Sequence, residues 1–286
     1  ALGKAAEEKN LKIAAGLMCR HSVNRQALIR KINDGELGQV TLIRAYRMGG
    51  VPKLYPRPTT QNEVEYQVRN RMSFLWASAG VLSEYMIHQI DECCWLKDAW
   101  PVTAHGLGGR IPYSDDRGQN FDAYGVEYRF ADGATALVDG RFLADCENDF
   151  VTYVHGTRCA AQFSGKTHRG TVRTYKDQRI ADENITWDAS AEPCTAHQAE
   201  WNVLIKAIRE DRPHNETERA IHANLATIMG RAAVHSGRTV TWDEVMQSDF
   251  SFCDEVDEIN FQSTPPVLVD AEGRYPAPIP GKWNEV

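Results

Sequence analysis

Apolar and polar residues alternate along Val40 to Met48, the period of a strand that turns one face to a core, while Tyr124 to Phe130 and Thr135 to Phe142 are expected to be strands with apolar or aromatic residues on both faces, so that the second face needs a cover. Asp132-Gly133 joins the last two of these runs and is a strong hairpin signal. Shorter apolar or alternating runs predict further strands at Leu11 to Cys19, Val102 to Gly108, Asp149 to His155, Cys159 to Ser164 and Thr171 to Tyr175. Consecutive strands without intervening helices imply antiparallel pairing.

Helical spacing marks other stretches. Residues 1–10 read as the end of a helix, and Ala27, Leu28 and Ile32 recur at helical spacing in Val23 to Asn33, with Ser22 as cap and Gly35 as stop. Gly80 to Leu96 is a longer apolar helix. Three more follow late in the chain, announced by Thr195 before Gln198, Asn215 before Glu218 and Thr241 before Glu244, and separated by Pro213 and Gly237. Positions 49–58 hold five prolines or glycines, so residues 49–68 are expected to be a long loop with some irregular helix. The segment 251–286, with five prolines and little periodicity, is expected to be an extended arm. The fold class is α+β: a large open, mainly antiparallel sheet with helices on one face.

Composition narrows the function classes. The 286 residues carry a net charge of -7 and no basic stripe interleaved with aromatics, which argues against nucleic acid as a partner. No apolar run approaches the roughly 18 residues of a membrane span. Seven cysteines at irregular spacings, two of them adjacent at Cys93-Cys94, argue against a disulfide framework and for a reducing, cytoplasmic setting.

The candidate chemistry lies in GVLSEYMIHQIDECCWL, residues 80–96. Glu84 and His88 are four apart and share a helix face that Asp91 extends, while Leu82, Met86, Ile90 and Cys94 lie on another. A carboxylate beside an imidazole can fix its tautomer and tune its basicity, as acid/base chemistry near neutral pH requires. The same spacing also arises on solvated helix faces. As metal ligands Glu84, His88 and Asp91 lack a second nearby histidine, so no metal site is expected.

The stretch RNRMSFLWASAGVLSEYMIHQIDECCW, residues 69–95, resembles the glycine-led acid-x-x-x-His-x-x-Asp segment of the Gfo/Idh/MocA oxidoreductases, in a branch with glutamate in place of aspartate. LKIAAGLMCRHSVNRQALIRKINDGELGQV, PVTAHGLGGR, FDAYGVEYRFADGATA and MGRAAVHSGRTVTWDEV resemble other landmarks of that family. The resemblance implies an NAD- or NADP-dependent oxidoreductase acting on a sugar, cyclitol or related polyol, with His88 as proton acceptor and Glu84 orienting it. Arg20, His21, Arg69, Asn70 and Asp91 are the implied substrate contacts. It also implies a homo-oligomer, dimer or tetramer, paired through the sheet face.

The family's glycine fingerprint and its Glu-Lys-Pro lysine are absent here. No G-x-G-x-x-G occurs; Gly106, Gly108 and Gly109 come nearest, in a strand-to-loop context, and Glu8-Lys9-Asn10 is a decoy. Residues 1–20 are therefore expected to be the remnant of a Rossmann domain, 21–250 the substrate and oligomerisation domain and 251–286 the arm, with the main cofactor site outside this chain and no cofactor tightly bound to it. Two other readings stay open: an NAD-dependent glycoside hydrolase of the same fold, and a non-catalytic oligomeric or sugar-binding module. His197 and Glu200 read as a solvated first helical turn, and Trp76, Trp95 and Trp201 as core residues. His105, His155, His168, His214, His222 and His235 read as structural.

Overall fold

The computed structural model describes residues 2–111, 118–165, 170–189 and 191–286, so His168 lies outside the described residues. Nine strands form one open sheet: β1 Val40–Gly49, β2 Thr103–Gly109, β3 Ala123–Arg129, β4 Thr135–Phe142, β5 Asp149–Gly156, β6 Ala160–Gly165, β7 Arg173–Tyr175, β8 Ile185–Asp188 and β9 Val240–Thr241. Their order is β8-β7-β6-β5-β1-β4-β3-β2-β9. Every pairing is antiparallel except β1 with β4, where the first strand slots between two later hairpins. The hairpin of β3 and β4 turns at Gly133, whose φ of +85° suits glycine.

The helices are α1 Leu2–Glu8, α2 Val23–Asn33, α3 Glu63–Arg69, α4 Leu75–Ser78, α5 Ile87–Lys97, α6 Ala196–Arg209, α7 Thr217–Ser236 and α8 Trp242–Gln247. Caps form where the sequence offers them. Ser22 accepts from Arg25 N, Thr195 from Gln198 N, and Thr241 with Glu244 closes a full capping box. Asn215 instead caps one residue early, its Oδ1 accepting from Thr217 N at 3.0 Å.

Helices α5 and α7 cover one face of the sheet. Met86 fits against Gly140 of β4, and the Tyr128 hydroxyl of β3 donates to Ala226 O of α7 at 2.9 Å. The buried phase of the strands, including Ile43, Ala45, Ala136, Val138, Val126 and Val154, forms the core beneath them. A buried ion pair binds the layers together: Arg25 Nε of α2 lies 2.9 Å from Glu92 Oε1 of α5, and Glu92 Oε2 accepts from Thr152 of β5 at 2.6 Å and Ser164 of β6 at 2.9 Å.

Three expectations need correction. Leu11 to Cys19 is not a strand: it makes one isolated parallel bridge, Ile13 with Asn215, and then a 3-10 turn at Met18–His21. An apolar run of strand length can equally be buried coil, and periodicity cannot separate the two. Gly80 to Leu96 is not one continuous α-helix, because Leu82–Met86 is a π-turn that passes into α5. Strands β8 and β9 were not anticipated; at four and two residues both are too short for a period to stand out from the flanking chain. The segment after α8 carries one 3-10 turn, Val256–Glu258, and is tied back by Glu285 between Arg231 and His235 of α7. Among the described residues no helix is long and apolar enough to cross a membrane.

Candidate active site

The chain enters the π-turn through two left-handed residues, Ala79 (φ 62°) and Gly80 (φ 79°). Asn120 clamps this entry, its Oδ1 accepting from Val81 N at 3.0 Å and its Nδ2 donating to Met72 O at 2.6 Å. Gln119 Oε1 similarly accepts from Leu75 N at 3.1 Å. A π-turn inserts one residue into the helical ladder and often marks a functional site. Here it holds Ser83, Glu84 and Tyr85 half-buried at the end of an otherwise enclosed helix.

Next to it opens a cleft of about 650 Å³, lined by Arg47, Tyr85, Phe142, Asp149, Phe150 and Gln162 with neighbouring strand residues. It sits where β1 and β4 end and β5 begins. Arg47 takes the inward phase of β1, after Ile43 and Ala45, and pairs in register with Gly140 and Phe150. Its guanidinium lies over Tyr85 (5.1 Å to the ring centre) and Phe150 (4.5 Å). Among the described residues it has no carboxylate or hydrogen-bond partner. Burial lowers its proton affinity from the ordinary arginine value.

His88, one turn beyond Tyr85, does not itself line this cleft. Its Nδ1 is buried with no hydrogen-bond partner among the described residues. Burial first, and then the charges of Arg47, His197 and Arg25, push its pKa down to about 4. At neutral pH it is therefore an uncharged imidazole, able to accept a proton.

The expected Glu84–His88 hydrogen bond is not formed. The π-turn shifts the register that would have stacked the two side chains, and Glu84 instead faces Arg71, 3.7 Å away. Arg20 and Asp91 are brought together, but on each other: Arg20 Nε and Nη2 grip the Asp91 carboxylate at 2.9 and 2.8 Å, with Arg20 over Trp95. His21 is buried 3.0 Å from Glu216, whose carboxyl is desolvated yet held at about 2 by His21, the Ala15 amide and Arg219. Asn70 spends its amide on the backbone of Tyr55 and Tyr66, closing the loop before α3, and Arg69 pairs with Glu65. These five residues, expected to touch substrate, all have partners within the protein.

Glu200 is buried, accepting from Gly16 N at 2.7 Å, so the expected solvated first turn of α6 is corrected for Glu200, while His197 and Gln198 are exposed. Trp201 is likewise 59% exposed and does not belong to the core. His21, Glu200 and Glu216 place ligand atoms within 4.8 Å of one another. Arg219, 3.0 Å from Glu216, already supplies positive charge to that cluster. The site residues that sequence reasoning passed over are Arg47 and Tyr85. Arg47 carried a signal, being a charge in the inward phase of an apolar strand.

Residues 26–162 match the family model of the GFO/IDH/MocA C-terminal domain. Among solved structures, the chain is similar to aldose-aldose oxidoreductase from Caulobacter crescentus complexed with glycerol, at 17% identity and a TM-score of 0.62, covering 83% of this chain and 66% of that one. It is similar to GenD2 from gentamicin A biosynthesis in complex with NAD, at 15% identity and a TM-score of 0.60, covering 84% and 66%. It is also similar to apo scyllo-inositol dehydrogenase from Lactobacillus casei, at 16% identity and a TM-score of 0.56, covering 83% and 66%. The chain thus spans about two thirds of the length of these structures, and the likeness is one of fold. No curated protein sequence matches it.

Proposed function

We propose that this chain, whose residues 26–162 match the family model of the GFO/IDH/MocA C-terminal domain, is the substrate-binding part of an NAD- or NADP-dependent oxidoreductase acting on a sugar, cyclitol or related polyol. The observation that carries the reading is His88: a neutral imidazole whose buried Nδ1 has no partner among the described residues, held behind a π-turn beside the cleft. A hydroxyl losing hydride from its carbon must also lose its proton, and an uncharged imidazole within reach takes it.

The described residues do not fit a dinucleotide pyrophosphate. Gly106, Gly108 and Gly109 lie within β2, not at a strand-to-helix turn, and the sheet is antiparallel apart from β1 and β4. The work of this chain is therefore to seat the polyol and receive its proton. Micromolar binding of NAD to the chain alone, measured by calorimetry, would contradict that division.

The reading extends to a second copy of the chain on the uncovered sheet face. Leu42, Arg44 and Tyr46 of β1 share that face with Leu137 and Asp139 of β4 and Tyr153 of β5, opposite the helices, and Leu107 of β2 is 77% exposed. An obligate interface of roughly 2,000 Å² would cover it. Light scattering should give a multiple of the 32.1 kDa chain mass, and a monomer overturns this part.

The activity is tested on the protein in its longest natural form, with NAD or NADP and a panel of sugars, cyclitols and glycosides. Accumulating reduced cofactor supports the reading, with turnover abolished in His88→Ala. Glycoside cleavage without reduced cofactor identifies the glycosidase alternative, and neither product leaves only a binding module.

A further inference from the structure

The protein pairs its inward-facing guanidiniums with carboxylates. Arg25 meets Glu92 at 2.9 Å, Arg20 meets Asp91 at 2.8 Å, and Arg231 meets Glu285 at 2.7 Å. Arg47 departs from that rule. It occupies an inward position of β1 and lines the main cleft, yet its neighbours there are the rings of Tyr85 and Phe150, which face the cation but accept no conventional hydrogen bond. A guanidinium stripped of part of its water and given no counter-charge is costly to hold. Two aromatic faces also fix its plane, leaving its forked donors ready for a planar or tetrahedral oxyanion.

Asp149 lines the same cleft without pairing with Arg47, and burial raises the pKa of its carboxyl. It is a ready acceptor for sugar hydroxyls. One cation and one carboxylate at the same cleft, on opposite phases of β1 and β5 where Arg47 pairs with Phe150 and Met48 with Asp149, suit a polyol that carries an anionic group at one end.

We propose that Arg47 is an anion subsite, receiving a carboxylate or phosphate borne by the substrate, so that the preferred ligand is a sugar acid or sugar phosphate and not a neutral sugar. This rests on the reading of the cleft as the sugar site. A ligand anion on Arg47 also offsets one of the charges that, after burial, depress the basicity of His88, the others being His197 and Arg25. Substrate binding then helps to prepare its own proton acceptor.

Calorimetric titration of the chain with glucuronate, glucose, myo-inositol monophosphate and myo-inositol tests the proposal. At least one anion should bind about tenfold or more tightly than its neutral counterpart, the gain expected of a charge-assisted bidentate contact. Preference for glucuronate identifies a carboxylate, and preference for the monophosphate a phosphate. Arg47→Met should remove the preference, read as the ratio of anion to neutral-sugar affinity, and Arg47→Lys should keep part of it. Melting curves establish that the variants are folded; if Arg47→Met is not, the preference of the unaltered chain and its reduction in Arg47→Lys decide. Neutral sugars bound as tightly as the anions, or an anion preference undiminished without Arg47, overturns the anion subsite alone. Failure of all four to bind overturns the sugar reading as well.

Discussion

Arg25 and Arg47 lie on the same side of the sheet, and their surroundings differ in what they complete. Arg25 is wholly buried against Glu92, which Thr152 and Ser164 also bind, so that α2, α5, β5 and β6 share one closed polar knot. Arg47 is half-buried at the open end of the strands, flanked by rings, in a cleft that still admits a ligand. The first arrangement is already satisfied and serves the fold. The second lacks a counter-charge and suits recognition, which is why burial of an arginine alone does not separate scaffold from site.

The contrast is tested most strongly at Glu92. Glu92→Ala leaves the Arg25 charge buried without its partner and should cost about 3–5 kcal/mol of stability in a denaturant titration; an unchanged midpoint would mean that the knot is not structural. Glu285 offers a related, somewhat smaller test at the chain end. Burial opposes its ionisation, yet Arg231 and His235 hold its pKa at about 2, below the ordinary 4.5. Its contribution is therefore present above pH 4.5 and lost as pH falls from there toward 2. Glu285→Gln should flatten that acid limb of the stability profile.

His88 has the opposite sign of charge and the same direction of pKa shift. Its folded pKa of about 4 lies below the ordinary 6.5, so the unfolded chain binds more protons between those values. Stability from neutral His88 is fully present above pH 6.5 and declines as pH drops toward 4, a slope that His88→Gln should reduce in melting experiments across that window. The smallest effect on stability is expected at Arg47. Arg47→Met, which keeps a long apolar stem between the rings, should shift stability by no more than about 1 kcal/mol, and a loss as large as that of Glu92→Ala would erase the distinction.

Much of the fold was legible because alternation and capping are local. Val40 to Met48 and Thr135 to Phe142 announced strands within a residue of those formed, and Ser22, Thr195 and Thr241 cap the helices they precede. The parallel pairing of β1 with β4 was not legible, since it joins residues nearly a hundred positions apart without a local sign. His88 stood out by its neighbours in sequence, whereas Arg20 and Asp91 were singled out separately and find each other across 71 positions. Nothing in the composition of Leu82–Met86 announces a π-turn, so Glu84 was placed one helical register away from its actual partner, Arg71. Arg47 was legible in principle, as the one charge in an apolar phase shared with Ile43 and Ala45.

The central claim is that a sugar or polyol occupies the cleft beside His88, and carbon-detected NMR of the histidine rings during titration with glucuronate and with myo-inositol tests it without any cofactor. The account predicts saturable shifts of the His88 ring signals with at least one of the two ligands, while His222, stacked against Trp100 and Trp242 at the far edge of the sheet, stays unmoved. Unshifted His88 signals at saturating ligand, or shifts confined to His222, would contradict it.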